Sequence, residues 1–583
     1  MNRKLVLALA LALLIGMLNV AFNIQRAKAS ETIYIRADGS VDPSTANIIS
    51  ADNVTYYFTN NIHDEIRVER GNIIINGNGY TLQGNGSGSG FILSDANNVT
   101  IENTNIEGFH FCICFYSSSN NIITKNNITN NYYGIMPYAS SSNNIITKNN
   151  ITNNSYGIYL YYSSNNNITE NDMAGNTHGI YLDHSSKNNI TGNMFFYDGL
   201  FVDGSYGNVV VDNLVNGKPL VYLEGVSDFK VEDAGQVILI NCTNITVENL
   251  NLSKTDFGIE LWGTNSSTIT QNNITNNDQA GINLSLSSNN NVTKNNITNN
   301  NWCGIRLFSS SNNSISGNNV TENGWSSICL YKSSNNTIFR NNVTENGWLG
   351  IELDYSSNNN IIGNDIAGND WYGIDLDHSS NNAIYHNNFV DNSEQVYSYD
   401  SANVWDDGVE GNYWSDYNGT DSDNDGIGDS PYEIDENNAD HFPLMGEFHK
   451  YHIWYIEPGF TLTLISNSTI SNFVVWFWIE HPEYRIIDFN VAGETGYGFC
   501  RLCIPKNLMA PPYTVTIDNG QTPVTYYNET LFDNSTHRWI YFTYLHSEHQ
   551  VEIIPEFPSF LILPLFMIAT VLAVMVYRKK HNS

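Results

Sequence analysis

The sequence predicts an all-β protein: a right-handed parallel β-helix of about 23 residues per coil, then an Ig-like β-sandwich and a C-terminal transmembrane helix. Three observations carry this. A Gly-Ile dipeptide recurs at Gly134, Gly157 and Gly179, then at Gly258, Gly281, Gly304, Gly350 and Gly373, with Ser327-Ile328 filling the one gap in the second series. Apolar and polar residues alternate over short runs, the period-2 mark of strands. Phe560–Tyr577 is apolar for 18 residues, long enough to span a bilayer.

The ends come first. Residues 1–29 read as a secretory signal: Arg3 and Lys4, the apolar run Leu5–Leu18, and the small-x-small site Ala27-Lys28-Ala29. Arg578, Lys579 and Lys580 follow the C-terminal apolar stretch, and such residues stay cytoplasmic. The chain is therefore expected to be exported, on the extracellular side of the membrane, anchored at its C-terminus. Of seven Cys, Cys500 and Cys503 suit a local disulfide, whereas Cys112 and Cys114 share a strand face and bridge poorly. Cys303 and Cys329 read as repeat positions filled by a small apolar side chain.

Composition narrows the partners. Against 59 Asp+Glu there are 25 Lys+Arg, a net charge of −34. Nucleic acid, with one phosphate per ~1.7 Å, needs clustered Lys/Arg, so it is excluded as a partner. About 90 Asn would suit a disordered chain, but 41% hydrophobic and 12% aromatic residues are enough for a core. The Asn must then belong to the repeat.

Each unit reads roughly G-I-x-L-x-x-S-S-N-N-x-I-x-x-N-x-I-x-x-N, as in Gly157–Asn176. About 23 residues allow three short strands and three turns. Ile158, Leu160, Ile168 and Met173 point inward. Asn supplies left-handed turn residues and side-chain ladders from coil to coil. The period lapses between Gly179 and Gly258, where strands are still expected at Val209–Val211, Val221–Leu223, Val237–Ile240 and Ile245–Leu252. The domain reading is an N-terminal cap at 30–72, β-helix at 73–400, a C-terminal cap at 401–446 and a β-sandwich at 447–554. Seven strands are expected in the sandwich, at Phe460–Ile465, Phe473–Ile479, Arg485–Phe489, Gly498–Ile504, Tyr513–Ile517, Trp539–Tyr544 and Gln550–Ile553.

A parallel β-helix turns period into columns one strand apart, ~4.8 Å. Two residues before the Gly-Ile position stand Trp302, Trp325, Trp348 and Trp371, with Tyr132 in an earlier coil. One residue after the inward Ile come Glu260, Asn283, Arg306, Cys329, Glu352 and Asp375. Two further on come Trp262, Ser285, Phe308, Tyr331, Asp354 and Asp377. The earlier coils place Met136, Tyr159 and Tyr181, then Tyr138, Tyr161 and Asp183, in the same columns. All should face out. Rings beside carboxylates suit sugars, so Trp302, Trp325, Trp348, Trp371, Trp262 and Tyr331 are candidate glycan-binding residues. Glu352, Asp354, Asp375 and Asp377 are weaker candidates for acid–base catalysis.

Asp421-Ser422-Asp423-Asn424-Asp425-Gly426-Ile427-Gly428-Asp429 carries alternate oxygens around a Gly, as in the first half of an EF-hand loop. Asp421, Asp423, Asp425, the Ile427 carbonyl and Asp429 are the expected Ca²⁺ ligands, although Tyr432 stands where a bidentate Glu would close the set.

The repeat, with Asn216-Gly217-Lys218-Pro219-Leu220, Asp233-Ala234-Gly235-Gln236-Val237 and Gly411-Asn412-Tyr413-Trp414-Ser415-Asp416-Tyr417, resembles NosD-like β-helix proteins of the carbohydrate-binding and sugar-hydrolase (CASH) group. The resemblance covers residues 73–445. It implies a right-handed β-helix and, from the founding members, accessory work in copper-enzyme maturation. A copper site calls for His, Met or Cys clusters, and there is no His-rich or Met-rich tract, so copper is not expected. Gly498–Lys506 resembles a segment of small Ig-like modules of archaeal surface proteins. Pro555-Glu556-Phe557-Pro558, an apolar run and a basic tail resemble the PEF-type sorting signal of such proteins, which implies archaeosortase processing. The leading expectation is thus a surface-anchored protein that binds glycan or cell-envelope polymer or serves a structural role, more binder than enzyme. The alternative is a polysaccharide lyase, hydrolase or epimerase.

Overall fold

The structure, a computed structural model, describes residues 32–478 and 481–556. Its regular elements are strands and one 3-10 turn at Asp518–Gly520. The expected signal peptide, the PEF-type motif beyond Glu556 and the apolar stretch Phe560–Tyr577 lie outside the described residues. Among the described residues no helix is long and apolar enough to cross a membrane. The transmembrane helix of the expected fold class, and with it the membrane as a partner and the C-terminal anchor as a location, is thus not found among the described residues. The described backbone pairs in sheet ladders rather than in a spanning helix.

The chain divides into two compact units, one comprising Met1–Thr264 and Asn273–Asn283, the other Asn265–Asn272 and Leu284–Ser583. Each contains a right-handed β-solenoid with coils of about 23 residues. In the first, Ile135 lies beside Ile158, Ile158 beside Ile180, and Ile180 beside Leu200. In the second, Ile305, Ile328, Ile351, Ile374 and Val396 follow one another in the same way. The inward residues Ile158, Leu160, Ile168 and Met173 are buried, each contributing roughly 1.5–3 kcal/mol. The recurrent Gly has a steric cause: a Cβ at Gly157 would stand 2.6 Å from the Gly179 carbonyl oxygen of the next coil. At Ser327 the side chain fits, and its hydroxyl donates to the Val320 carbonyl (2.9 Å).

Asn does two separate jobs. One set is buried and laddered. The Asn318 backbone N–H and Nδ2 both donate to Asn341 Oδ1 (3.0 and 2.9 Å), and Asn341 repeats this onto Asn364. Asn341 Nδ2 also donates to the Ile315 carbonyl (2.9 Å). The first unit has the same arrangement through Asn126, Asn149, Asn171, Asn193 and Asn213. The amides of these ladders therefore arrive with partners, which offsets the cost of burying them. The second set, including Asn312, Asn335, Asn358 and Asn381, holds φ of +58° to +60° at the turns. The ladder of the second unit runs from Asn387 to Asn412, whose N–H donates to Asp440 Oδ2 (2.7 Å). Asp440 also accepts from the Trp414 indole (2.9 Å) and from the Phe442 N–H (3.0 Å).

The lapse in period is a reversal. Leu214–Val215 and Lys218–Glu224 pair antiparallel around Asn216-Gly217, both at positive φ, the Asn-Gly hairpin signal. Beside this insertion the strand Leu200–Asp203 is served by side chains. The Gly199 N–H donates to Asp256, the Leu200 N–H to Gln236 and the Val202 N–H to Glu260.

The sandwich has nine strands. A five-stranded sheet runs Glu447–Ile453, Phe460–Ser466, Tyr497–Pro505, His537–Leu545 and Tyr526–Asp533 in spatial order, and a four-stranded sheet runs Thr469–Trp478, His481–Ala492, His549–Pro555 and Tyr513–Ile517. The two strands beyond the seven expected are the edges of the larger sheet, where polar residues mask the alternation. Cys500 and Cys503 are free and buried on one strand; the disulfide joins Cys303 to Cys329 instead. Both expectations for these cysteines are corrected. The 26-residue separation places Cys303, just before one Gly-Ile position, against the outward column of the next coil.

Candidate functional site

On the second unit the outer face is built as the register requires. Cys329 lies beside Glu352, Glu352 beside Asp375, and Asp375 beside Tyr397; in the next column Tyr331, Asp354, Asp377 and Tyr399 follow one another. The carboxylates are thus one strand apart, ~4.8 Å. Burial first, then the charges of Glu352, Asp377 and Asp354, hold the Asp375 carboxyl up at about 7. Glu352 is also raised, chiefly by burial, while the Ser326 hydroxyl (2.9 Å) and the Trp325 indole donate to it. Asp354 is raised by burial and by Asp377, and its Oδ1 is buried without a hydrogen-bond partner. Asp377 instead holds His378 Nδ1 (2.6 Å), whose Nε2 lies 3.6 Å from Asp400.

The Trp column borders these acids. Trp325 and Trp348 have ring centroids 3.6 Å apart at 63°, and Trp348 stacks on Trp371 at 5.1 Å and 16°. The stack continues through Tyr372 to Tyr397. Trp371 is 41% exposed and the other three are half-buried. Trp302 packs against the Arg306 guanidinium (5.1 Å), which also reaches Phe308; Phe308 stacks on Tyr331. Trp262 belongs to the first unit, where its indole donates to the Tyr206 hydroxyl (2.6 Å). Met136, Glu260, Asn283, Ser285 and Cys329, expected to face out, are buried; Glu260 is turned to the backbone beside the insertion and Cys329 is tied in the disulfide.

The first unit fills its outer columns with tyrosine. Tyr133, Tyr156 and His178 stack in sequence, with Tyr159, Tyr181 and Phe201 alongside. Tyr159 donates to Asp183 (2.8 Å) and Tyr181 to Asp203 (3.4 Å). His178 Nδ1 is 2.9 Å from the fully buried Asp256. This pair was not legible in the sequence, since 78 residues and the lapse in period separate its members. The single signal was the His one residue before Gly179, where Tyr stands in the two preceding coils.

The Asp-rich loop gathers Asp421, Asp423 and Asp425, with oxygens within 4.8 Å of one another, a cluster able to chelate a divalent cation. Asp421 accepts the N–H groups of Asp425 and Gly426, and Asp425 that of Ile427. Burial is the first cause raising the Asp421 and Asp425 carboxyls. Asp429 turns away: it accepts from Thr420 and Ser422, which lower its pKa. Ile427 buries its side chain and pairs with Leu444. Tyr432 stacks on Trp414 instead of facing the loop.

Fold and outer face together define a β-solenoid repeat protein of the kind that presents rings and acids along its coils. Residues 28–156, 71–227, 156–301 and 221–419 match the NosD family, described as periplasmic copper-binding protein; the matches span more than half of the chain, which belongs to that family. The comparison with curated proteins returned no match. Similar solved structures include the A-module of the Azotobacter vinelandii mannuronan C-5 epimerase AlgE6, at 15% identity over 58% of this chain and 89% of that one, TM-score 0.28. The periplasmic alginate epimerase AlgG is 16% identical over 60% of this chain and 80% of that one, TM-score 0.24. The Dettilon tailspike protein is 12% identical over 84% and 88%, TM-score 0.27. At these identities and TM-scores the likenesses say nothing of this chain's activity, and the expectation of a binder rather than an enzyme is withdrawn.

Among the described residues the single cluster of three or more ligating side chains is the all-carboxylate Asp421, Asp423 and Asp425, hard oxygens that do not fit copper. Burial raises the thiol pKa of all five free cysteines, which disfavours thiolate.

Proposed function

We propose that the chain is a carbohydrate-active enzyme acting on a polysaccharide along the outer strands Leu349–Asp354, Tyr372–Asp377 and Glu394–Tyr399 of the second unit. The observation that carries this is Asp375, a carboxyl poised at about 7 between Glu352 and Tyr397. A group that is half-protonated at neutral pH gives or takes a proton efficiently. Glu352, one strand away, is the second member of an acid–base pair. The Trp348–Trp371 stack offers a face for sugar rings beside them. The reaction class is lyase, hydrolase or epimerase chemistry on a glycan or cell-envelope polymer. The full chain is incubated with a panel of neutral and acidic polysaccharides, and chain length and sugar composition are read. Wild type alters one member of the panel and Asp375→Asn does not; polymer unchanged by wild type, or turned over equally by the variant, overturns the reading.

We also assign Ca²⁺ to Asp421, Asp423 and Asp425, with a structural role, because hard oxygens within 4.8 Å of one another suit that ion. Arg501 ties this loop to the sandwich through the Asp425 carbonyl (2.7 Å). Saturating Ca²⁺ should raise the Tm by a few degrees, about 1–3 kcal/mol by mass action, and Asp423→Ala should abolish the rise.

A further inference from the structure

A cleft of about 260 Å³ on another face of the second unit is lined by Phe339, Arg340, Gly363, Asp365, His386 and Lys450, among others. Its charge is unusual for this chain. Arg340 and Lys450 both lie over the Phe339 ring, at 5.0 and 5.5 Å, and Arg340 Nη2 donates to the Lys450 carbonyl (3.0 Å). Neither cation has a carboxylate within 4.0 Å among the described ion pairs, in a protein with 59 acids and 25 Lys+Arg. Of the nearby acids, Asp365 accepts from Asn388 Nδ2 (2.7 Å), and burial raises both its carboxyl and that of Glu447 above the usual carboxylate range.

The column that carries Arg340 has been left open around it. The equivalent turn positions in the coils on either side are Gly317 and Gly363, at φ +62° and +66°. A Cβ at Gly363 would already touch the Arg340 side chain (3.8 Å) and the Phe339 ring (3.7 Å). The following coil places His386, stacked flat on Phe448 at 4.2 Å, as the far wall. The two cations repel and depress each other's neighbourhood: Lys450 is lowered by burial and by Arg340, and His452 by burial, Arg340 and Lys450. Two like charges held on one ring beside an open floor are stable when an anion sits between them.

We propose that this cleft binds a small oxyanion, a carboxylate, sulfate or phosphate group, bridged by Arg340 and Lys450. The source is either a free inorganic ion or the acid group of a sugar. The site is separate from the Asp375 face, so its test does not depend on turnover. Full-length protein is titrated calorimetrically with sodium glucuronate, sodium sulfate and sodium phosphate, in wild type, Arg340→Gln and Lys450→Gln, with thermal unfolding as the check on folding. Saturable binding weakened about tenfold or more in both variants, with folding unchanged, supports the site; glucuronate alone binding identifies an acidic sugar, and sulfate or phosphate alone an inorganic ion. No saturation by about 50 mM of any probe, or equal binding in folded variants, overturns it.

Discussion

The two units solve the same problem differently. In the first, the outer acids Asp183 and Asp203 each receive a tyrosine hydroxyl, and the rings stack along the coils. In the second, the equivalent columns carry Glu352, Asp354, Asp375 and Asp377 beside indoles, and Asp354 keeps an oxygen without a donor. A stack of like charges one strand apart is unfavourable unless a donor, proton or cation intervenes. The first unit supplies the donor. In the second, burial and the neighbouring acids raise the Asp375 carboxyl to about 7, the property on which the proposed chemistry rests.

The sharpest way to break this comparison is to neutralise one acid in each unit. Asp375→Asn should lower polysaccharide turnover by about 10²–10⁴-fold, and Asp183→Asn should leave it unchanged; equal losses would mean that the units do not differ in kind. Next in size is Asn341→Leu, which orphans the Asn318 donors and the Ile315 carbonyl. Denaturant unfolding should show a loss of about 2–4 kcal/mol, against near-neutral Asn335→Gly at a turn. Trp348→Ala with Trp371→Ala should weaken polymer retention about 5–150-fold, from roughly 0.5–1.5 kcal/mol per ring; Tyr133→Ala in the first unit should not. The smallest effect is on pH. The folded pKa of Asp375 is raised, so the folded state binds more protons than the unfolded one between about pH 4 and 7. Its contribution to stability is present at low pH and is lost as pH rises through that window. Asp375→Asn should therefore be the more stable form at pH 8 and should lose that advantage at pH 4, as read by Tm.

The solenoid was legible because period becomes position: Ile158, Leu160, Ile168 and Met173 had only to repeat to be placed inside, and Trp325, Trp348 and Trp371 only to repeat to be stacked. What was not legible depends on contacts the period does not encode. Glu260 shares a column with Glu352, yet the hairpin at Asn216-Gly217 turns it to the backbone of a strand 58 residues away. Cys303 and Cys329 sit at different points of their coils, and a bridge between neighbouring coils shows only once the stacking is known. Asp429 belongs to the expected ligand sequence, but Ser422 and Thr420 offer it hydroxyls at shorter range. The oxyanion cleft needed the fold as well, since Arg340 and Lys450 are 110 residues apart.

Asp440 gives the amide ladder a direction and a stop. Each Asn passes its N–H and amide protons to the carbonyl oxygen of the next, so the stack grows one way, like a sentence that can always take another clause. Asp440 receives from Asn412, Trp414 and Phe442 and, ionised above about pH 6, has no proton to pass on. The ladder therefore closes inside the protein, on a fully buried carboxylate, and not at an open end. The substitution of one amide by one acid is thus punctuation: it lets a structure with the chemistry of a growing fibre finish as a protein of fixed length.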